Sequence, residues 1–144
     1  MHQFAGHCHC GALRVILETD KSAAELPLRA CQCAFCKSRG ALTTSDPRAH
    51  LFIEAAPGSV NHYRFGHRVT DFLLCEECGA YVAAVCETAN GLMGVVNVRG
   101  AQLAGFEGRD PDPMTYDDET AGDRLARRAQ RWSPAQVVEA QPSI

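Results

Sequence analysis

The chain has 144 residues, enough for one ordinary domain, and its 46% apolar content against 22% charged residues excludes a disordered polymer. A balance of 14 Lys+Arg against 17 Asp+Glu, formally -3, argues against nucleic acids or anionic membranes as partners, because both demand a basic face. No apolar run approaches the ~20 residues of a membrane span, and residues 1–10 lack the apolar segment of a secretory signal, so a cytoplasmic protein is expected.

In chain order, residues 13–18 alternate Leu13, Val15 and Leu17 against Arg14, Ile16 and Glu18, the period of a strand. Residues 51–54, 60–65 and 69–74 are further short β-like runs, separated by Pro57-Gly58 and Gly66. Residues 81–86 and 92–98 flank Asn90-Gly91, a hairpin turn signal. Residues 108–122 are acidic and rich in turn formers, and read as a solvated connection. Helical periodicity is confined to residues 123–132, where Leu125 and Ala129 lie four apart. There Arg124, Arg127, Arg128 and Arg131 read as a basic run solvating a surface helix, and Trp132 as the anchor that docks it. The tail after Trp132, ending Gln141-Pro142-Ser143-Ile144, carries little signal. The predicted fold is mostly β, built from many short strands with a short C-terminal helix.

Cysteine is the compositional outlier, with eight in the chain. Seven fall into tight clusters: Cys8-x-Cys10, Cys31-x-Cys33-x-x-Cys36 and Cys75-x-x-Cys78. Close pairs are how metal ligands arrive, whereas disulfide frameworks spread their cysteines to staple distant loops. Gly79 after Cys78 and Gly11 after Cys10 permit the tight backbone of a metal knuckle. These two pairs offer four thiolates, enough to close a tetrahedral, structural site. Cys31, Cys33 and Cys36 offer three, which leaves a fourth position open as in catalytic zinc. Spacing alone does not say which segments meet in space. Thiolate donors favour zinc over magnesium or calcium, and iron–sulfur clusters usually want four cysteines each.

The run Gly6-x-Cys8-x-Cys10-Gly11, then Cys31-x-Cys33-x-x-Cys36-x-x-x-Gly40-Ala41-Leu42, then Phe72-x-x-Cys75-x-x-Cys78-Gly79 resembles the glutathione-dependent formaldehyde-activating enzyme family, also called the CENP-V/GFA domain. The resemblance covers residues 6–98. It implies a β-tent zinc-knuckle fold, with residues 1–108 as the zinc domain and 109–144 as a C-terminal extension packed on it. Matched by motif, Cys8, Cys10, Cys75 and Cys78 would hold a structural zinc, and Cys31, Cys33 and Cys36 a catalytic one. Two zinc ions per chain are implied, the three-ligand one being the more easily lost. The implied activity is carbon–sulfur lyase chemistry on thiol–aldehyde adducts such as S-hydroxymethylglutathione, with glutathione as a candidate co-substrate. The partners would be small thiols or aldehyde adducts. A zinc-stabilised binding module without catalysis is the competing reading, and a fourth ligand at the middle cluster would favour it.

Lys37 and Arg39 follow the middle cluster, either as a solvated basic pair or as contacts for an anionic thiol substrate. Phe35, inside that cluster, is expected to wall the site from water. His7 and His9 flank the first cluster as neighbours rather than ligands. Cys86, outside every cluster, reads as a buried structural thiol, with a redox or extra-ligand role as the alternative. His50, His62 and His67 are scattered and receive no role.

Overall fold

The computed structural model of the protein describes residues 1–140, and the tail end Gln141-Pro142-Ser143-Ile144 lies outside the described residues. The chain runs β1 (His2–His7), β2 (Leu13–Thr19), β3 (Arg29–Cys31), α1 (Ala34–Arg39), β4 (Thr43–Thr44), β5 (His50–Ala55), β6 (Val60–Tyr63), β7 (Asp71–Cys75), β8 (Tyr81–Thr88), β9 (Gly91–Asn97), β10 (Asp112–Met114), α2 (Ala121–Arg131) and β11 (Ser133–Glu139). Period-two patterning does what it predicts in β2, where Leu13, Val15 and Leu17 are buried and Arg14 and Ile16 are not. β5 repeats the pattern with Leu51, Ile53 and Ala55 inward. Asn90-Gly91 turns β8 back onto β9, and Gly91 takes a positive φ of 92° there.

All strands join one sheet, ordered β1-β2-β5-β11-β9-β4-β3-β10, from which β8, β7 and β6 branch at β9. One edge of β9 pairs with β8 along its length. Its other edge is shared, β11 pairing at Met93 and Gly94 and β4 at Val96 and Asn97. Two apolar cores result. The larger packs Leu13, Leu17, Leu51, Ile53, Val82 and Val96. The smaller gathers Phe35, Phe72, Tyr81, Met93 and Trp132 around the middle cysteine cluster. Residues of β8 feed both, so its first six positions are buried without alternation.

Three features depart from the expectations. The tail after Trp132 is not featureless: β11 lies parallel to β5 from Ala135 to Glu139 and joins that strand to β9. Its SPAQVVE sequence is polar at every third position, without the period of a strand, and partly exposed, which hides a strand held by backbone pairing on both sides. Residues 108–122 contain β10, which pairs with β3 just before the middle cluster. Helix also forms early, in α1, whose six residues are too few to display a period. Trp132 is 7% exposed and docks α2 as expected.

Because β11 closes open edges of both β5 and β9, a chain ending at Trp132 is expected to lose stability on the scale of a whole domain, ~5–15 kcal/mol. Circular dichroism of the shortened chain checks this; native strand content with an unchanged melting temperature would contradict it.

Candidate metal centres and cavity

The loop after β1 and the turn after β7 carry the first two cysteine pairs to one place. Gly6 lies so close to the Ala101 carbonyl that a Cβ would overlap it, and His7 N–H donates to that carbonyl at 2.8 Å. This docking fixes the start of the Cys8 loop. Leu13 N–H then donates to Cys8 Sγ at 3.3 Å, and Cys78 N–H lies 3.5 Å from Cys75 Sγ. Gly11 and Gly79 take positive φ values of 85° and 79°, the turn conformation expected of knuckles. The four sulfurs of Cys8, Cys10, Cys75 and Cys78 lie within 4.8 Å of one another. Cys10 Sγ is 3.7 Å from Cys8 Sγ and 3.5 Å from Cys75 Sγ, although Cys10 and Cys75 are 65 residues apart in the chain. Burial drives the Cys75 thiol up to about 12. At Cys78 burial acts in the same direction but is outweighed by hydrogen bonds from backbone N–H groups, and its thiol falls to about 6.

The middle cluster is assembled locally. Cys31 ends β3, Cys33 caps α1, and Cys36 sits in the first turn with its N–H donating to Cys33 Sγ at 3.4 Å. Their sulfurs also lie within 4.8 Å of one another. Hydrogen bonds from the Cys31 and Cys36 side chains hold the Cys33 thiol down to about 2, and hydrogen bonding with Cys31 and Cys33 pushes Cys36 up. One negative charge is thus easily held, whereas three thiolates together need a cation among them. Both groups could hold a metal ion. All eight cysteines are free thiols.

A cavity opens over the middle cluster. Cys31, Cys33 and Cys36 share its wall with Phe65, Phe72, Tyr81 and Trp132. Phe35 backs this wall from behind, with ring centroids 4.6 Å from Phe72 and 5.1 Å from Tyr81. Tyr81 is buried, and that burial raises its phenol well above the usual range. Its hydroxyl therefore keeps its proton.

Lys37 and Arg39 do not line this cavity: both are exposed, and the Arg39 guanidinium lies 4.0 Å from the centroid of the Phe35 ring. The cations that do are Arg29, Arg68, Arg124, Arg127 and Arg128. The basic run on α2 is thus not a solvated face throughout. Arg124 and Arg127 pair with Glu119, Arg127 at 2.7 Å, and Arg127 stacks 3.7 Å over Tyr116. Arg128 is buried, hydrogen-bonded to Thr70 and packed 4.3 Å over Trp132. The four-residue spacing from Arg124 to Arg128 to Trp132 was a visible sign that these side chains share one helix face. Nothing in the sequence tells which partner that face meets. Cys86 is buried in the smaller core, outside both metal groups. No described helix is long and apolar enough to cross a membrane.

Comparison with known proteins places this geometry. No curated protein matches the chain significantly. Among solved structures, the crystal structure of a Rhodobacter sphaeroides protein is 27% identical, with a TM-score of 0.52 over 78% of this chain and 99% of the other. The sequence profile of the glutathione-dependent formaldehyde-activating enzymes matches residues 3–116, a span that takes in all seven clustered cysteines. With that share of its 144 residues matched, the chain belongs to the glutathione-dependent formaldehyde-activating enzyme family.

Proposed function

We propose that the protein is a zinc-dependent carbon–sulfur lyase acting on thiol–aldehyde adducts such as S-hydroxymethylglutathione. The observation that carries this reading is the three-thiol group in the wall of an aromatic cavity. The four-thiol group would hold a structural zinc through Cys8, Cys10, Cys75 and Cys78. Its sulfur separations of 3.5 and 3.7 Å approach the ~3.8 Å that tetrahedral ligands at ~2.3 Å require. Cys31, Cys33 and Cys36 would hold a second zinc with one position free for substrate. When bound there, zinc supplies Lewis acidity that makes a thiolate available near neutral pH and polarises a carbonyl.

The chain's own residues do the rest. Phe65, Phe72 and Trp132 keep bulk water from the reacting atoms, which strengthens every polar contact inside the cavity. As the thiol sulfur adds to the aldehyde carbon, the carbonyl oxygen gains charge and needs a donor. Tyr81 donates a hydrogen bond from its hydroxyl to that oxygen, which takes up the proton the thiol gives up, and the raised phenol pKa keeps this donor protonated across neutral pH. In the reverse direction the carbon–sulfur bond breaks, the sulfur leaves as thiol, and the hydroxyl oxygen gives up its proton as the carbonyl reforms. Under this reading the partners are a small thiol and an aldehyde met in a reducing cytoplasm, where eight free cysteines persist.

Three outcomes are expected. Cys78→Ser should largely unfold the protein, because the lost ion ties Cys75 to Cys10 across 65 residues, and structural zinc is worth ~10–16 kcal/mol in small domains. A soluble variant with unchanged melting temperature and zinc content would remove the structural assignment. Cys33→Ser should keep the fold, lose one zinc by metal analysis, and lose the acceleration of adduct formation seen by exchange NMR with glutathione and formaldehyde. The uncatalysed addition is spontaneous, so the comparison is with the variant; equal rates would sink the lyase reading and leave a zinc-stabilised binding module. Tyr81→Phe should keep fold, zinc and glutathione affinity while slowing turnover about 10²-fold. Unchanged turnover would discharge Tyr81 from the reaction.

A further inference from the structure

The cavity over the middle cluster carries more guanidinium charge than its carboxylates balance. Five arginines line it, and among the described residues Asp117 is the lining carboxylate. Glu119 occupies Arg124 and Arg127. Arg29, Arg68 and Arg128 have no carboxylate within 4.0 Å among the described residues.

Arg128 is the sharpest case. It is 7% exposed, and its Nε has no hydrogen-bond partner among the described residues. The neighbouring Cys86 supplies no countercharge, since burial pushes its thiol up. Leaving a buried guanidinium without an anion is costly, so a site of this kind is completed by whatever anion enters it. Arg29, half-buried, uses one Nη to donate to Ser45 Oγ at 2.9 Å and keeps its other donors free among the described residues. Both side chains line the same cavity as the three thiols.

We propose that Arg128 and Arg29 form a carboxylate-binding subsite that selects, among small thiols, those bearing a carboxylate. The inference rests on the reading that the three cysteines bring a thiol to this cavity. The donors that Thr70 and Ser45 leave free on the two guanidinium groups suit a carboxylate, and Asp117 in the same lining disfavours a dianion such as phosphate. Arg29 lies within the residues 3–116 of the family match, whereas Arg128 lies on α2 beyond them, so the subsite joins the shared segment to the C-terminal helix. A rival role is available: three thiolates around one divalent ion keep a single negative charge, which one of these arginines could offset. In that case its loss would lower zinc retention without changing the ranking of thiols.

The test is calorimetric titration of the zinc-loaded protein with mercaptopropionate and with mercaptopropanol, its uncharged counterpart. The acid should bind about tenfold to a hundredfold more tightly, the value of charge-assisted hydrogen bonds. Arg29→Gln and Arg128→Gln should each remove most of that preference, leaving zinc content and the affinity for the alcohol unchanged. Should the buried Arg128 variant fail to fold, the half-buried Arg29 variant decides alone. Equal affinities in the intact protein, or a preference that survives in the folded variants, would overturn the subsite while the thiol reading stands. Zinc loss in the variants with the preference intact would assign the arginines to metal retention. Binding of neither thiol would overturn the thiol reading itself, and the subsite with it.

Discussion

β8 has no solvent face along its first six residues. Val82, Ala83 and Val85 pack into the larger core, while Tyr81, Ala84 and Cys86 pack into the smaller one beside the middle thiols. A strand packed on both sides has no position at which a change in volume goes unfelt. The cavity wall and the main core are therefore two faces of one strand, held in register by β9 over six residue pairs. Gly100 reinforces the arrangement: a Cβ there would overlap the Tyr81 carbonyl, so the chain passes as close to the start of β8 as a backbone can.

The two cysteine groups divide the mechanical work differently. One draws together the loop after β1 and the turn after β7, whose meeting no local interaction would secure. The other takes all three sulfurs from six residues on the end of β3 and the start of α1, so no long loop is closed between its members. Long-range closure suits an ion that stabilises a fold, since cross-linking distant segments removes more entropy from the unfolded chain. Local closure suits an ion that can share a coordination position with a visitor.

Much of this was legible in the residues. Cysteine spacing identifies both groups because ligand geometry is a short-range constraint, and the alternation in β2 and β5 exposes a sheet with one buried face. What stayed hidden was set by partners distant in sequence. β11 is a strand because β5 and β9 accept its backbone, not because Ser133–Glu139 prefers extension. Arg128 looks like its solvated neighbours until Thr70 and Trp132 enclose it. Lys37 and Arg39 adjoin the thiols in sequence, yet both are exposed and neither lines the cavity, and the Arg39 guanidinium lies over the Phe35 ring. Adjacency along a chain predicts well which thiols gather and predicts poorly the direction of a side chain.

Trp132 is the chain's single tryptophan, and it stands in the cavity wall with the Arg128 guanidinium 4.3 Å from its ring. An indole's emission responds to nearby charge and hydration, and here no second indole dilutes the signal. Any anion that neutralises Arg128, or any solute that displaces water from this wall, alters the surroundings of that one fluorophore. The molecule carries a built-in optical gauge at its own cavity, readable without label or substrate turnover.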